Sequence, residues 1–576
     1  PLCDRSGKSG LWIDEPVMVA TCARDNGLLD KPGWKLPGLK KIAKTQKKLI
    51  HMANKAELHS FHRKPMCMCG FQVPRNHAEA LELDRVNGNT MGIDAEMTEL
   101  NQIDEHKSFV DKGVGFNPGS DHKRVRVHMV HAVKHDGQHK ARLVAGGHLT
   151  ETPIDSVHSS VVSLRGAMLL AFIGELNGLK IWSTDVGNAY LETHTKEKVH
   201  IIAGPEFGDR EGHVLVVSNA LCGLHSSGLR WSERLADVLR EMGFFTSHCE
   251  KDIWMRNKGD HYEYIAACVD NLMIASKDPD SIIKMLIEKR QFKLKGTGPT
   301  EFHLGCDFFR DEEGVLCYAP KKHIEKILDN CRRIFGAWPE PATSPLTTGD
   351  HPKLDTSVLL KDDDQKTCQS LIGAPQWVIQ IGPFDIQTAV ILSRCRAMPR
   401  QGHLDRVKRI HGDLSKMRHA TIETRTDAPD YSNIPVKLYD WEHSCHADAK
   451  EEVPLDAPAP KGKPVTVTSF FDANLYHDLI SGKSVAGILH QLNKTPIDWC
   501  SKLQLTVETA TFRSEYVAAR TCTEQVIDLL LTLRYLGVPI NGPTMVLGDN
   551  KSVINSAAIP HSRMHKRWVA LSYHRV

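Results

Sequence analysis

This sequence lacks a long uninterrupted run of apolar residues: the most apolar stretch, "VVSLRGAMLLAFIGEL", carries Arg165 in its middle. A bilayer core demands roughly 20 uncharged apolar residues, so a membrane-crossing helix is not expected. A basic-then-apolar leader is missing too. The chain opens at Pro1 without an initiator Met and is expected to be a soluble, unsecreted piece of a longer polyprotein or reading frame. The 15 cysteines are odd in number and share no repeating spacing, which fits reduced thiols in cytosol or nucleus better than a disulfide framework. A net charge of +3 is too small to announce nucleic acid by itself.

What is present is ordinary in bulk: 41% hydrophobic and 25% charged residues over 576 positions, a length that calls for roughly three or four folded units. The distribution is more informative. "LKKIAKTQKKLIHMANK" sets Lys40, Lys41, Lys44, Lys47, Lys48 and Lys55 opposite Leu39, Ile42 and Leu49 at helical spacing. That basic amphipathic helix is either a phosphate-backbone contact or a solvated face. His59, His62, Cys67 and Cys69 follow, but C-x-C is not a usual structural-zinc pair and zinc is not expected. Residues 65 to 340 alternate strand-like and helix-like segments, which indicates an α/β or α+β domain, with "SGLRWSERLADVLREMGFF" an amphipathic helix ending at Gly243. A helical stretch from about Pro345 to Met417 gives way to "HADAKEEVPLDAPAPKGKPV", the best linker in the chain. Beyond it the pattern reads β-β-β-α-β-α, with a long helix from about Val507 to Leu536.

The acids of that last region fall where metal chemistry would want them. Asp472 is expected to end the first strand, Glu515 lies inside the long helix, and Asp549 ends the strand "TMVLGD". Carboxylates gathered in a low-dielectric pocket stay ionised only beside cations, so the trio is either solvated or holds a hard dication such as Mg²⁺. Two such ions about 4 Å apart clamp the attacking and leaving oxygens of a phosphodiester. The same logic applies to "YIAACVDNLMIAS", where Asp270 and Asn271 interrupt two apolar strands and suit the positive φ angles of a tight hairpin turn. "LKIWSTDVGNAYLE" delivers Asp185 at the end of another apolar segment. Hairpin and strand end together make a second candidate two-metal site.

"KARLVAGGHLT", "STDVGNAYLE", "ALCGLHSSGLRW", "CVDNLMIAS", "FHLGCDF", "CQSLIGAPQW", "GHLDRVKRI", "DWCSKLQ", "RSEYVAA" and "GDNKS" resemble, in this order, the reverse transcriptase and ribonuclease H regions of a copia-type long-terminal-repeat retrotransposon polyprotein. The resemblance runs from about Phe71 to the C-terminus. It implies an α+β multidomain fold: a right-hand polymerase of fingers, palm and thumb, then a connection and an α/β ribonuclease H-like domain. On that basis residues 1–64 are expected to be an N-terminal segment with the basic helix, 65–345 the reverse transcriptase, 346–445 connection-like, 446–466 a linker and 467–576 ribonuclease H-like. Asp185 resembles the first palm carboxylate, and Val269, Asp270 and Asn271 match the family's Tyr-Val-Asp-Asp hairpin. Tyr190 matches the aromatic residue beside the incoming sugar, which selects deoxynucleotides, and Arg142 the fingers Arg that meets the triphosphate. Asp472, Glu515 and Asp549 match the ribonuclease H ligands. The implied cofactor is Mg²⁺, with Mn²⁺ as the alternative. The implied partners are an RNA template, a DNA primer, an RNA–DNA hybrid and deoxynucleoside triphosphates, in a cytoplasmic or nuclear particle, with a homodimer as a further implication and no membrane.

The departures from the pattern are as informative. The family writes two aspartates where this chain has Asp270-Asn271, so one metal ligand is neutral. Cys268, Cys222 and Cys368 stand at positions where the family usually has Tyr, Pro383 where related copies carry Arg, and Gly92 where they tend to carry Trp. Near the C-terminus Ala570 occupies the site of a further acid, although His574 remains. The expectation is therefore a polymerase impaired at Asn271 beside an intact hydrolase. A catalytically silent nucleic-acid-binding remnant and a decayed reading frame are the competing readings.

Overall fold

The apolar stretch around Arg165 folds as helix α1 (Leu164–Leu176). The Ser163 hydroxyl accepts the Gly166 N–H at 2.9 Å and caps it, and almost every residue from Gly166 to Leu176 is buried, as a helix apolar all round must be. Arg165 leaves the core and meets Asp528 at 2.7 Å. Among the described residues no helix is long and apolar enough to cross a membrane, and the ten cysteines from Cys222 to Cys522 there carry free thiols. The computed structural model describes residues 66–68, 71–134, 137–150, 157, 159–289, 291–382, 392–434 and 451–559. The expected basic helix, His59, His62, Cys69, Pro383, Ala570 and His574 lie outside them.

The chain divides into two compact units, Pro1–Ile154 with His194–Ser227 and Asp155–Thr193 with Gly228–Val576. In the first, the helix Met91–Glu105 packs on an antiparallel hairpin of Val127–Val133 and His139–Ala145. Asp84 accepts the Gly92 and Ile93 N–H groups, both at 3.0 Å, and so satisfies the start of that helix. A Cβ on Gly92 would lie 3.3 Å from this carboxylate and from Ala80 Cβ. A Trp at this place would force this helix away from the helix His77–Asn87 that carries Ala80 and Asp84.

The second unit is built on a six-stranded sheet. In chain order its strands are β1 (Lys180–Val186), β2 (Phe245–Thr246), β3 (Ile253–Asn257), β4 (Tyr262–Cys268), β5 (Asn271–Ser276) and β6 (Leu294–Pro299). Their spatial order is β2-β3-β4-β5-β1-β6, with every pair antiparallel. Tyr262, Tyr264 and Ala266 of β4 join the core around α1, while Ile265 and Ala267 join a second core with Trp231, Leu235 and Leu239 of helix α2 (Ser227–Glu241). A helix on each face explains why these strands read as unbroken apolar runs. Beyond them come a small sheet of β7 (Phe302–His303), β8 (Cys306–Arg310), β9 (Leu316–Ala319) and β10 (Ile422–Glu423), and a helical cluster. The helices are α3 (Lys321–Phe335), α4 (Asp362–Gly373), α5 (Pro375–Ile381) and α6 (Gln401–Lys416), packed around Ile324, Leu328, Leu371, Val378 and Val407.

The C-terminal part of the unit has the expected order: β11 (Val467–Asp478), β12 (Lys483–Leu492), β13 (Thr495–Leu503), α7 (Thr511–Tyr535), β14 (Met545–Leu547) and α8 (Lys551–Ala558). Its sheet runs β13-β12-β11-β14, with β14 parallel to β11. Two local expectations need correction. Asp472 does not end its strand: the ladder continues beyond Asp472↔Gly487 through Ala473↔Ala486 and Asn474↔Val485 to Asp478. The in-and-out alternation continues past Phe471, with Asp472 and Asn474 exposed and Ala473 buried in the same core as Phe471, because the backbone stays paired to β12. The hairpin turn is not Asp270-Asn271 but Val269-Asp270, since Asn271 already pairs with Cys268 as the first residue of β5. The positive φ falls on Val269, at 56°.

The described part of the expected 446–466 linker is a strap. Glu451 pairs with Arg534 at 2.9 Å, Asp456 accepts the Tyr535 hydroxyl at 3.0 Å, and Ala459 O accepts the Tyr262 hydroxyl at 2.9 Å. Lys463 N–H then donates to Asn177 Oδ1 at 2.8 Å. The strap leads into a core in which Val465, Val467, Leu529, Leu533 and Leu536 are buried together with Leu169, Ile173, Tyr264 and Met273. Within it the Tyr264 hydroxyl donates to Leu536 O at 2.8 Å.

Candidate functional site

Two acid sites lie in the second unit. The first forms where β4 and β5 turn beside the end of β1. Across the sheet Asn271 stands opposite Asp185, and Lys295 of β6 stands opposite Asp185 on its other side. Directly opposed residues share a face of an antiparallel sheet, so amide, carboxylate and amine form one row. Asp270 is the second residue of the turn, and Asn271 Nδ2 donates to Asp270 Oδ1 at 3.2 Å. The Val186 N–H donates to Asp270 O at 2.7 Å, which fixes the turn beside Asp185's strand. The sequence thus delivers the expected acids to one place, with a neutral amide between them.

The turn itself is strained. Positive φ at the first turn position alone is the type II′ pattern, which favours Gly there; Val269 is β-branched, and a left-handed conformation costs such a residue about 1–2 kcal/mol. Its carbonyl accepts the Trp231 Nε1–H at 2.6 Å. Cys268, in place of an aromatic residue, is half-buried, and burial followed by the Asp270 and Asp252 charges pushes its thiol up. It is a packing group here, not a nucleophile.

Tyr190 sits in the short turn Ala189–Glu192 after β1, half-buried against the α2 core. Arg142 is an exposed residue of the first unit's hairpin, opposite Val130. His574 lies outside the described residues.

The second site is formed by Asp472, Glu515 and Asp549, each of which offers an oxygen within 4.8 Å of the others. Asp472 is exposed on β11, Glu515 is buried on α7, and Asp549 is exposed just past β14. Two devices hold Asp549. A Cβ on Gly548 would sit 2.3 Å from the Phe471 ring, so only a glycine lets the chain pass so close to the core. Asn550 then caps α8, its side chain accepting the Ser552 and Val553 N–H groups at 3.1 and 3.2 Å. Burial first, and the Asp472 and Asp549 charges after it, push the Glu515 carboxyl up to about 7 against the Ala473 amide that stabilises its ionised form. Glu515 Oε2 is buried with no protein partner.

The donor sets differ in what they could hold. Three carboxylates, one of them with an orphaned buried oxygen, fit a hard dication. The hairpin site offers the carboxylates of Asp185 and Asp270 with the Asn271 amide, a weaker set because the amide carries no charge. Sequence reasoning missed Trp231, Val186 and Lys295. The first two act through backbone carbonyls, which no side-chain pattern reveals, and Lys295 is placed by strand register.

Comparison with known proteins agrees with this architecture. Residues 114–336 match the family described as Reverse transcriptase (RNA-dependent DNA polymerase). The chain is therefore a mixed α/β protein with a reverse transcriptase domain. It is 25% identical over 445 residues to a retrovirus-related Pol polyprotein from transposon RE1 of Arabidopsis thaliana, covering 76% of this chain and 27% of that protein. It is 23% identical over 520 residues to the Pol polyprotein from transposon TNT 1-94 of Nicotiana tabacum, covering 87% of this chain and 36% of the relative. A putative transposon Ty5-1 protein of Saccharomyces cerevisiae is 24% identical over 295 residues, 50% of this chain and 91% of the relative. The chain spans about a third or less of the two plant polyproteins it matches. It belongs with the Pol polyproteins of copia-type retrotransposons, through their reverse transcriptase region.

Proposed function

We propose that this chain is the polymerase and hydrolase part of a retrotransposon Pol polyprotein: an RNA-directed DNA polymerase impaired by Asn271, joined to a ribonuclease H-like centre that still cleaves RNA in RNA–DNA hybrids. The observation that carries the reading is Asn271, which faces Asp185 and donates to Asp270. In an active polymerase site two acids and their neighbours share the task of holding dications. Here one charge is replaced by a donor that binds the remaining carboxylate instead. A unit charge pair 4 Å apart is worth about 4 kcal/mol at an effective dielectric near 20, so the missing charge weakens cation binding severely while the turn survives.

On this reading Asp185 and Asp270 hold the primer end and triphosphate side of the site, and Tyr190 lies beside the incoming sugar. In the C-terminal site Asp472 and Asp549 face solvent and Glu515 offers its buried oxygen, so these three would hold the ion that binds the hybrid's phosphate. Mg²⁺, or Mn²⁺ in its place, would neutralise phosphate charge and lower the pKa of an attacking water or hydroxyl. RNA template, DNA primer, hybrid and deoxynucleoside triphosphates follow as substrates.

The test is hybrid cleavage by the full chain with Mg²⁺, run against Asp472→Asn. Cleavage that Asp472→Asn abolishes supports the hydrolase part. Salt-dependent hybrid binding without any cleavage would support a silent nucleic-acid-binding remnant instead.

A further inference from the structure

We propose that Trp231 is a positioning residue for the polymerase hairpin: its indole N–H holds the strained Val269 carbonyl and thereby sets where Asp270 stands beside Asp185. This rests on the polymerase reading of the hairpin site.

The turn is gripped by two donors, one on each of its carbonyls. Val186 N–H takes Asp270 O at 2.7 Å from the side of β1, and Trp231 Nε1–H takes Val269 O at 2.6 Å from the side of α2. Few other contacts restrain the second side. A cavity of about 340 Å³ opens there, with Trp231, Val269, Ala267, Ser159 and Asp252 among its lining residues, so Val269 is not packed into place. Val269 is also 38% exposed, and its φ of 56° is one that a β-branched residue leaves readily. Trp231 by contrast is fixed. It is 2% exposed, in the core with Leu235, Leu272 and Phe292, and its ring meets Phe292 at 5.5 Å between centroids. A rigid donor therefore holds a turn that would otherwise relax, and the residue it holds immediately precedes Asp270.

A buried indole N–H needs some acceptor, and a purely structural role would be to satisfy it. The two roles differ in their coupling to Val269. If the bond restrains a strained φ, a residue that adopts positive φ without cost makes the restraint dispensable; Gly is that residue.

The experiment uses the full chain carrying Asn271→Asp, with Trp231→Phe, Val269→Gly and both together. Primer extension gives kcat and KM for the deoxynucleotide, and hydrogen exchange reads the hairpin and Val186 amides without reference to activity. Trp231→Phe keeps an aromatic ring in the core and loses the donor. It is expected to lower kcat about tenfold with the deoxynucleotide KM unchanged and to raise exchange at the hairpin by a similar factor, as loss of one such bond would. Val269→Gly added to it is expected to restore most of both. Independent effects of the two substitutions, or a Trp231→Phe protein with unchanged kcat and exchange, would overturn the proposal. If the Asn271→Asp protein extends no primer, the polymerase reading fails, while the exchange data still decide whether Trp231 restrains the turn.

Discussion

Asn271 and Asp185 stand directly opposite one another on β5 and β1, and Asn271 spends its amide donor on Asp270 at 3.2 Å. An aspartate there would repel both neighbours and require a cation; the amide needs none. With the C-terminal trio disabled by Glu515→Gln, restoring Asn271→Asp should tighten Mn²⁺ binding about tenfold or more, followed by the loss of free-ion signal in electron paramagnetic titration. Equal affinity in the two proteins contradicts this account.

Glu515 makes stability depend on pH in a definite direction. Its carboxyl titrates at about 7 in the folded chain against 4.5 as the reference, so the native state keeps a proton that the unfolded chain has released. Metal-free stability from this group is therefore greatest below about pH 4.5 and falls as pH rises through about 7, by on the order of 2–3 kcal/mol. Glu515→Gln should remove that fall in denaturant titrations and abolish hybrid cleavage. A stability profile that stays as steep in Glu515→Gln refutes the assignment.

Gly548 is where the C-terminal site depends on close packing. Its missing Cβ would lie 2.3 Å from the Phe471 ring, so Gly548→Ala should cost about 1–3 kcal/mol and displace Asp549. Hybrid cleavage should drop at least tenfold, while primer extension by the Asn271→Asp protein stays unchanged. The two assays on one preparation separate local displacement from global misfolding.

The sheet bearing Asp185 and the C-terminal β-β-β-α-β-α region bury residues in one core, and so should unfold together. Leu533→Ala, costing about 2–5 kcal/mol, is expected to lower hydrogen-exchange protection in β3 and β4 as well as in α7. Tyr264→Phe should cost about 1–3 kcal/mol because Leu536 O loses its buried donor. Loss of protection confined to residues beyond 466 would show that the two regions fold separately.

Much of this was legible from local pattern. "YIAACVDNLMIAS" reads as strand, turn, strand because two apolar runs flank polar residues, and the last region's element order follows from period two changing to a helical period. What was not legible is long-range. Positive φ at Val269 defies its side-chain preference and is held by Trp231 and Val186. Asp472 looked like a strand end because it is the first acid after the run "VTVTSFF", although alternation and pairing to β12 both continue beyond it. The strap reads as a loop, being rich in Pro and charge, and its order comes from partners such as Tyr262 and Arg534 that are remote in sequence. The acids of both sites were legible as residues; their spacing was set by the sheets.

The most direct test of the central claim is primer extension on an RNA template with Mg²⁺, comparing the chain as it stands with Asn271→Asp. Strong extension by Asn271→Asp, at least about a hundredfold above the parent, is the expected result. Equal extension by both proteins would contradict it and make Asn271 a working ligand.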